Sequence, residues 1–431
     1  MVVDTHRIVL TIGLNPVPCL VAAHRLMVYY DRAERLDAPW PRLLLACSPR
    51  SLPHAEAIAK ILRRKLGDSR VVREIPIEHP FVIDDVYDPE VLASAFKKIP
   101  SGLFHLHYTG GTSAMAVQAT AELFQRGGRS TSYLDESRHR MLPSSLEFGS
   151  LPDDERPSWT GLTIDDLGFL HQIECHRKDF DFGLETAARS VVPALFQSFG
   201  DWIKRYQNKY GVNADQFEQP FPAYIPRDPE SLSALPKAFV LALATVPQFK
   251  DLILLDNGYR IDFSKSTSPD TIAALNKYLN GGVLEVHCFD AMKIAFGKLG
   301  RPAQVYHSVQ LHTGQARESW PELDVAAMYG YQLIAVSCSM TTHRKLCKMK
   351  AIEVLFRARQ LGGEGARAVL VTTMDRGRAA DLQADVREEF GVAEAITVWG
   401  LDHATTLAAS FEKYLSQKLG IMPCQTTPAA V

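Results

Sequence analysis

LFHLHYTGGTSAM, Leu103 to Met115, passes from an apolar run through a Thr-Gly-Gly-Thr turn into a periodic apolar segment ending near Phe124. The pattern predicts a buried strand, a tight turn and the start of a helix. Paired glycines reach backbone conformations closed to other residues and admit close approach by a second molecule. Thr112 or Ser113 can cap the helix, whose first N–H groups then suit a phosphate or carboxylate. The turn lacks the GxxxxGK[ST] spacing of a P-loop, so it does not point to nucleoside-triphosphate hydrolysis. Taken alone, it reads equally well as a structural corner.

Working outward, the same pattern recurs. RIVLTI at 7–12 ends at Gly13 and the loop Leu14-Asn15-Pro16-Val17-Pro18, followed by a helical pattern from Cys19 to Tyr30. Leu43 to Cys47, a loop at Ser48-Pro49-Arg50-Ser51 and a helix from Ala55 to Leu66 form a second unit. Strand 71–76, helix 89–98 and strand 130–135 continue the series. Alternation with short connections predicts a doubly wound, parallel α/β domain over residues 1–150. Ligands of such sheets lie outside the strands' carboxyl ends, where the loops at Gly13, Ser48 and Thr109 all fall.

The chain of 431 residues is long enough for two or three domains. With 22% charged residues and a formal net charge of −2, it carries no global basic field for nucleic acid. Its seven cysteines form no CxxC pair, which suits reduced thiols of a cytoplasmic protein. The longest apolar run, Phe239 to Val246, is too short to span a bilayer, and the N-terminus has no signal-peptide pattern. No membrane association is expected.

A Pro-, Asp- and Ser-rich stretch near 150–158 marks a boundary, and residues 151–275 read as a helical linker and insertion. This region carries a helical pattern at 185–210 and a proline-rich loop at 220–236. From 276 to 420 a second α/β unit is expected, opening with a helix at 283–298 and strands near 305–311, 322–328 and 332–337. A basic helix at 344–361 and a further strand–helix–strand–helix series complete it. The tail, 421–431, is expected to be disordered.

Two carboxylates in that unit, Glu285 on the helix and Asp324 on a strand, can converge. Such a pair suits a hard divalent cation, Mg2+ or Mn2+, which stabilises charge when a phosphodiester is cleaved. Glu322 shares the Asp324 face by strand alternation and is a further candidate. Between Met340 and Arg367, seven basic residues outnumber two acidic ones. This excess reads either as a phosphate-backbone contact or as a solvated helix face.

With these residues in view, the chain resembles CRISPR-associated effectors that join an N-terminal CARF domain to a C-terminal restriction-endonuclease-like, PD-(D/E)XK, nuclease. The CARF likeness rests on GLNPVP at 13–18, the Ser48 loop and HYTGGTSAM at 107–115. The nuclease likeness rests on GGVLEVHCF at 281–289, ELDV at 322–325, QLIAVSCS at 332–339 and KLCKMKAIEVLFRARQLGG at 345–363. The resemblance implies a cytoplasmic homodimer that senses a cyclic oligoadenylate, most often cyclic tetra-adenylate, and cleaves DNA or RNA in antiviral defence. Gly13, Asn15, Pro16, Ser48, Thr109, Gly110, Gly111, Thr112 and Ser113 would line the ligand site. Family members carry lysine where Ser113 stands, so one phosphate contact is missing. The family's E-x-K falls at Ser337-Cys338-Ser339, with serine at both charged positions. Glu285 and Asp324 would hold the metal, and Lys345 or Lys348 would supply the lysine. The alternative is a non-catalytic sensor whose second domain binds nucleic acid or a partner; a third is a domain that degrades its own activator, with His107 as base.

Overall fold

The computed structural model describes residues 6–32, 42–66, 77–136, 140–143, 162–177, 237–247, 249–250, 253–254, 260–261, 281–300, 303–314, 321–391 and 395–418. Among them lie two six-stranded sheets. The first contains β1 (His6–Ile12), β2 (Arg42–Cys47), β3 (Phe81–Val82), β4 (Leu103–His107), β5 (Gly128–Asp135) and β6 (Arg140–Pro143). Their order is β3-β2-β1-β4-β5-β6, parallel except for β6. Helices α1 (Val17–Arg32), α2 (Leu52–Leu66), α3 (Pro89–Lys97) and α4 (Ser113–Phe124) connect the strands.

Both faces of this sheet are covered. Ile8 and Leu10 pack with Leu20 of α1 and Ile58 of α2, while Val9 packs with Phe96 of α3 and Leu123 of α4. Burial on both sides explains why β1 and β2 are near-continuous apolar runs. The doubly wound domain read from the alternation is therefore present. The strand expected at 71–76 lies outside the described residues, and the third strand position is taken by β3.

The second sheet contains β7 (Glu174–Arg177), β10 (Gln304–His312), β11 (Glu322–Tyr329), β12 (Gln332–Ser339), β13 (Arg367–Thr372) and β14 (Ile396–Trp399). β8 (Ile253–Leu254) and β9 (Arg260–Ile261) form a separate pair. The order is β14-β13-β12-β11-β10-β7, antiparallel from β7 to β12 and parallel from β12 to β14. One face is covered by α7 (Val283–Lys298) and α11 (Leu407–Lys418), which pack against Val325, Val336 and Val369. The other is covered by α8 (Arg344–Gly362) and α9 (Arg376–Phe390), against Leu333, Ala335 and Leu370. A second α/β unit is thus present.

That sheet reaches beyond residues 276–420, since its edge strand β7 comes from the preceding stretch. Just before β7, α5 (Ile164–Leu170) is capped by Thr163 and packs between α2 and α8. The Thr163 side chain accepts from Asp166 N at 3.1 Å, and the Asp166 carboxylate accepts from Thr163 N at 2.8 Å. The same buried carboxylate pairs with Lys65 at 3.0 Å, and His54 Nδ1 lies 2.6 Å from Leu170 O. One apolar cluster runs from Leu10 and Ile58 through Leu167 to Leu333 and Leu355. The remaining described helices, α6 (Lys237–Thr245) and α10 (Leu401–Ala404), flank the α7 side. The 185–210 and 220–236 readings and the tail lie outside the described residues.

Candidate functional site

Strand order reverses between β1 and β4, so the chain leaves them toward helices on opposite faces, the kind of switch point at which ligands of such sheets bind. The two loops touch. A Cβ placed on Gly13 would stand 2.8 Å from Gly111 N, and one on Gly110 would stand 2.5 Å from Thr11 O and collide with Cys19 Sγ. Gly111 takes φ +81°, a conformation that favours glycine. The glycines of the turn therefore serve close backbone packing first.

The hydroxyls expected at a ligand are largely engaged within the protein. Thr109 Oγ1 accepts from Leu134 N at 2.6 Å. Thr112, rather than Ser113, caps α4: its Oγ1 accepts from Met115 N at 3.1 Å and donates to Val86 O at 3.2 Å. Ser48 shares a 3.0 Å hydrogen bond with Ser51, which in turn donates to Ile12 O at 2.9 Å and ties the β2 loop to β1. Pro16 is buried, Asn15 half-buried and Ser113 exposed at the start of α4. The predicted residues thus share one sheet edge, with main chain, Ser113 and the start of α4 left to meet a ligand. His107 is sealed beneath this edge. Its Nδ1 lies 2.9 Å from Ser132 Oγ, and burial, reinforced by His105, pushes its pKa down to about 3. That leaves it poorly placed as a base for a bound ring.

In the second sheet the expected acidic residue sits where two strands part. The β11–β12 ladder ends at Val325–Val336, and beyond it the Asp324 carboxylate replaces a main-chain acceptor. Its Oδ2 accepts from Cys338 N at 2.6 Å and from Ser337 Oγ at 3.1 Å, while Oδ1 enters neither bond. The carbonyl of the same Cys338 accepts from Lys350 Nζ at 2.8 Å. The fork thus leaves one residue's N–H and C=O unpaired by β11, and opposite charges satisfy them. Burial raises the Asp324 pKa, against the lowering effects of Lys350 and the Cys338 N–H.

The neighbouring strands are irregular at this point. Ser308 on β10 takes φ +52° among strand residues, and its hydroxyl donates to Glu322. On β11, Leu323 packs toward α8 with Ala326 and Met328, whereas Val325 and Ala327 pack toward α7. Strand alternation is broken at Asp324, and strain of this kind concentrates at functional sites.

The other candidates divide. Glu285 and Asp324 both bear on the Cys338 thiol, which burial and its contact with Cys288 push far up. Glu285 Oε2 also lies 3.8 Å from His307 Nε2. Ser339 turns the other way, to Cys347 beneath α8. Lys348 is held by Glu389 of α9, and Arg344 and Arg359 by Asp385 and Glu364, so much of the basic excess is neutralised locally. The lysine at the fork is Lys350, not Lys345 or Lys348, the two that the resemblance offered. Nothing in the sequence singled it out from the other basic residues of the helix, since it lies two residues from Lys348 and five from Lys345, off their shared face. Among the described residues no three His, Cys, Asp or Glu side chains gather as a metal cluster. Asp324 and Glu285, both close enough to act on Cys338, nevertheless are the carboxylate oxygens a hard cation would take, its shell completed with water.

No protein-family model matches the sequence, and no curated protein matches it. Solved structures do share its fold. Protein VC1899 from Vibrio cholerae superposes with a TM-score of 0.62 at 13% identity, over 97% of this chain and 99% of that one. Can2 from Sulfobacillus thermosulfidooxidans, solved in complex with cyclic tetra-adenylate, superposes with a TM-score of 0.56 at 14% identity, over 94% and 99%. At these identities the likeness is one of fold, and it extends across both sheets. Among the described residues no helix is long and apolar enough to cross a membrane.

Proposed function

We propose that this chain is a cyclic-oligoadenylate-sensing effector of type III CRISPR defence, with a phosphodiesterase centre at the β11–β12 fork. The observation that carries the reading is the switch point where the Gly13 and Gly111 loops pack together at the sheet edge, in a chain whose fold matches that of Can2, solved with cyclic tetra-adenylate, over nearly its whole length. A ring of repeating nucleotides suits two such sheet edges facing across a two-fold axis, so the working unit is a homodimer. The main chain at Gly111 and the start of α4 receive phosphate.

At the fork, Asp324 and Glu285 would hold a magnesium or manganese ion, which would supply Lewis-acid activation of water and charge stabilisation at a DNA or RNA phosphate. Lys350 supplies the ammonium that Ser337-Cys338-Ser339 lacks. Its stem is exposed while its head reaches the Cys338 carbonyl, so it can turn to a phosphate oxygen. Ser337 holds Asp324 in place rather than replacing a charged group.

The serines at the E-x-K positions favour a second reading, a non-catalytic sensor that binds nucleic acid. Calorimetry with cyclic tetra-adenylate, followed by cleavage of plasmid and single-stranded RNA with manganese, separates the two. Ring-dependent cleavage abolished in Asp324→Ala supports the enzyme. Binding without cleavage under any metal leaves the sensor, and no heat with any ring removes both.

A further inference from the structure

Building on that sensing function, we propose that helix α8 carries ring occupancy to the fork, because the β1 loop and the end of β5 grip its C-terminal turn through Asn15 and Glu136. The turn is crowded. Gly363 takes φ +68°, and a Cβ there would stand 2.5 Å from Asn15 Nδ2 and 3.0 Å from Glu136 Oε2. The Glu136 carboxylate accepts the N–H groups of Glu364 and Gly365, and the contact is desolvated enough that burial pushes its pKa up to about 7. Asn15 Oδ1 is buried at the same place without a hydrogen-bond partner. Asn15 is two residues from Gly13, which packs on Gly111, so its loop meets the switch-point turn on one side and the end of α8 on the other.

Lys350 is on the same helix, 12 residues before Gly362, about 18 Å along its axis. Between them Ala351, Val354, Leu355 and Ala358 are buried against the sheet, and a packed helix of this kind shifts as a body rather than bending. The bond from Lys350 to Cys338 O is a single contact at 2.8 Å, and a displacement of about 1 Å breaks it. A ring that engages the Gly13–Asn15 loop binds the two positions of α8 unequally, which is what a shift in their populations requires. Released from Cys338, the ammonium turns to the substrate.

The test uses the full chain and cyclic tetra-adenylate. Hydrogen–deuterium exchange of residues 344–362 is followed with and without ring, alongside calorimetry, in the native protein, Glu136→Gln and Gly363→Ala, each checked by thermal melting. The expected result is a ring-dependent change in α8 exchange in the native protein. In Glu136→Gln that change is lost, ring affinity stays within threefold, and ring-stimulated cleavage falls at least tenfold. Gly363→Ala, which pushes directly against Asn15, is expected to alter α8 exchange without ring. Ring binding with unchanged α8 exchange in the native protein overturns the proposal, as does a Glu136→Gln protein that responds like the native one; in either case the sensing function stands. Absence of ring binding in calorimetry overturns both, and is read before any exchange data.

Discussion

Asp324 and Lys350 divide one residue between them: the carboxylate takes the Cys338 N–H at 2.6 Å, and the ammonium takes the Cys338 carbonyl at 2.8 Å. Because β11 has already parted from β12, both charges stand at an opening in the sheet rather than within a ladder. The arrangement sets a cation and an anion about one peptide unit apart, on rigid main chain, which is the preorganisation that phosphodiester chemistry rewards.

If Lys350 supplies the positive charge for cleavage, Lys350→Met lowers the rate about a hundredfold, the effect of removing one aimed electrostatic group at roughly 3 kcal/mol. Lys348→Met, which loses only the pair with Glu389, stays within about threefold. Single-turnover cleavage with saturating ring and manganese measures both. Equal losses in the two variants would show that helix charge in general, not the fork, matters.

Asp324→Asn separates function from stability. Burial raises the Asp324 pKa above its ordinary 3.8, so the folded chain holds this proton more tightly than the unfolded one. Stability from this group therefore falls as pH rises from 3.8 through the raised value, and once ionised the carboxylate is a net cost. The amide keeps an acceptor for Cys338 N–H without that charge. The variant is expected to lose cleavage and to melt about 2–4 °C higher at pH 7, the shift that roughly 1 kcal/mol produces in a domain of this size. A lower melting temperature would mean that the pairing with Lys350 outweighs the burial.

Much of this fold was legible because its signals are local. Apolar runs ending in Gly or Ser loops located β1, β2 and β4, and the helix at 283–298 and strands at 322–328 and 332–337 fall where periodicity placed them. Asp324 was legible as a candidate because it and Glu322 are acids at the start of an otherwise apolar strand. Lys350 was not, since its neighbours Lys345 and Lys348 look alike in sequence and only the parting of β11 from β12 selects among them. The strand β7 was missed for a similar reason: Glu174-Cys-His-Arg177 has no apolar pattern, and long-range pairing with β10 makes it a strand. Nor does any local signal say that Thr109 and Thr112 spend their hydroxyls on Leu134 and Val86.

The switch-point turn makes opposite predictions for two of its positions. Ser113 is exposed at the first turn of α4, so Ser113→Lys costs no packing, and the small penalty of a cation at a helix N-terminus is relieved when a phosphate binds there. It is expected to tighten cyclic tetra-adenylate binding about tenfold, more at low salt than at high. Gly110→Ala is expected to destabilise the fold by about 2–3 kcal/mol and abolish binding, because its Cβ meets Thr11 O at 2.5 Å and Cys19 Sγ behind it. Calorimetry at two ionic strengths and a melting curve check them. An unchanged affinity in Ser113→Lys would place the ring's phosphates elsewhere.

Four histidines set the acid limit of the fold. Burial, the largest cause for each, pushes His24, His171 and His287 down from 6.5 to about 4 and His107 to about 3. Below pH 6.5 the unfolded chain takes up these protons and the folded chain refuses them, so stability falls as pH drops through the window from 6.5 to about 4. Glu136 works in the other direction: its carboxyl, raised from 4.5 to about 7, is protonated first in the folded chain, so stability rises as pH falls from 7 to 4.5. Asp324 has the same sign as Glu136. Near pH 7 Glu136 acts alone and the melting temperature is expected to change little or rise slightly. Below pH 6 four depressed bases outweigh two raised acids, and a steep decline follows down to pH 4. Melting curves at half-unit steps from pH 8 to 4 measure this. In His107→Gln, which keeps a donor and acceptor near Ser132 but cannot charge, the decline should be shallower than in the native chain. An equally steep decline in that variant would assign the acid sensitivity to the other three.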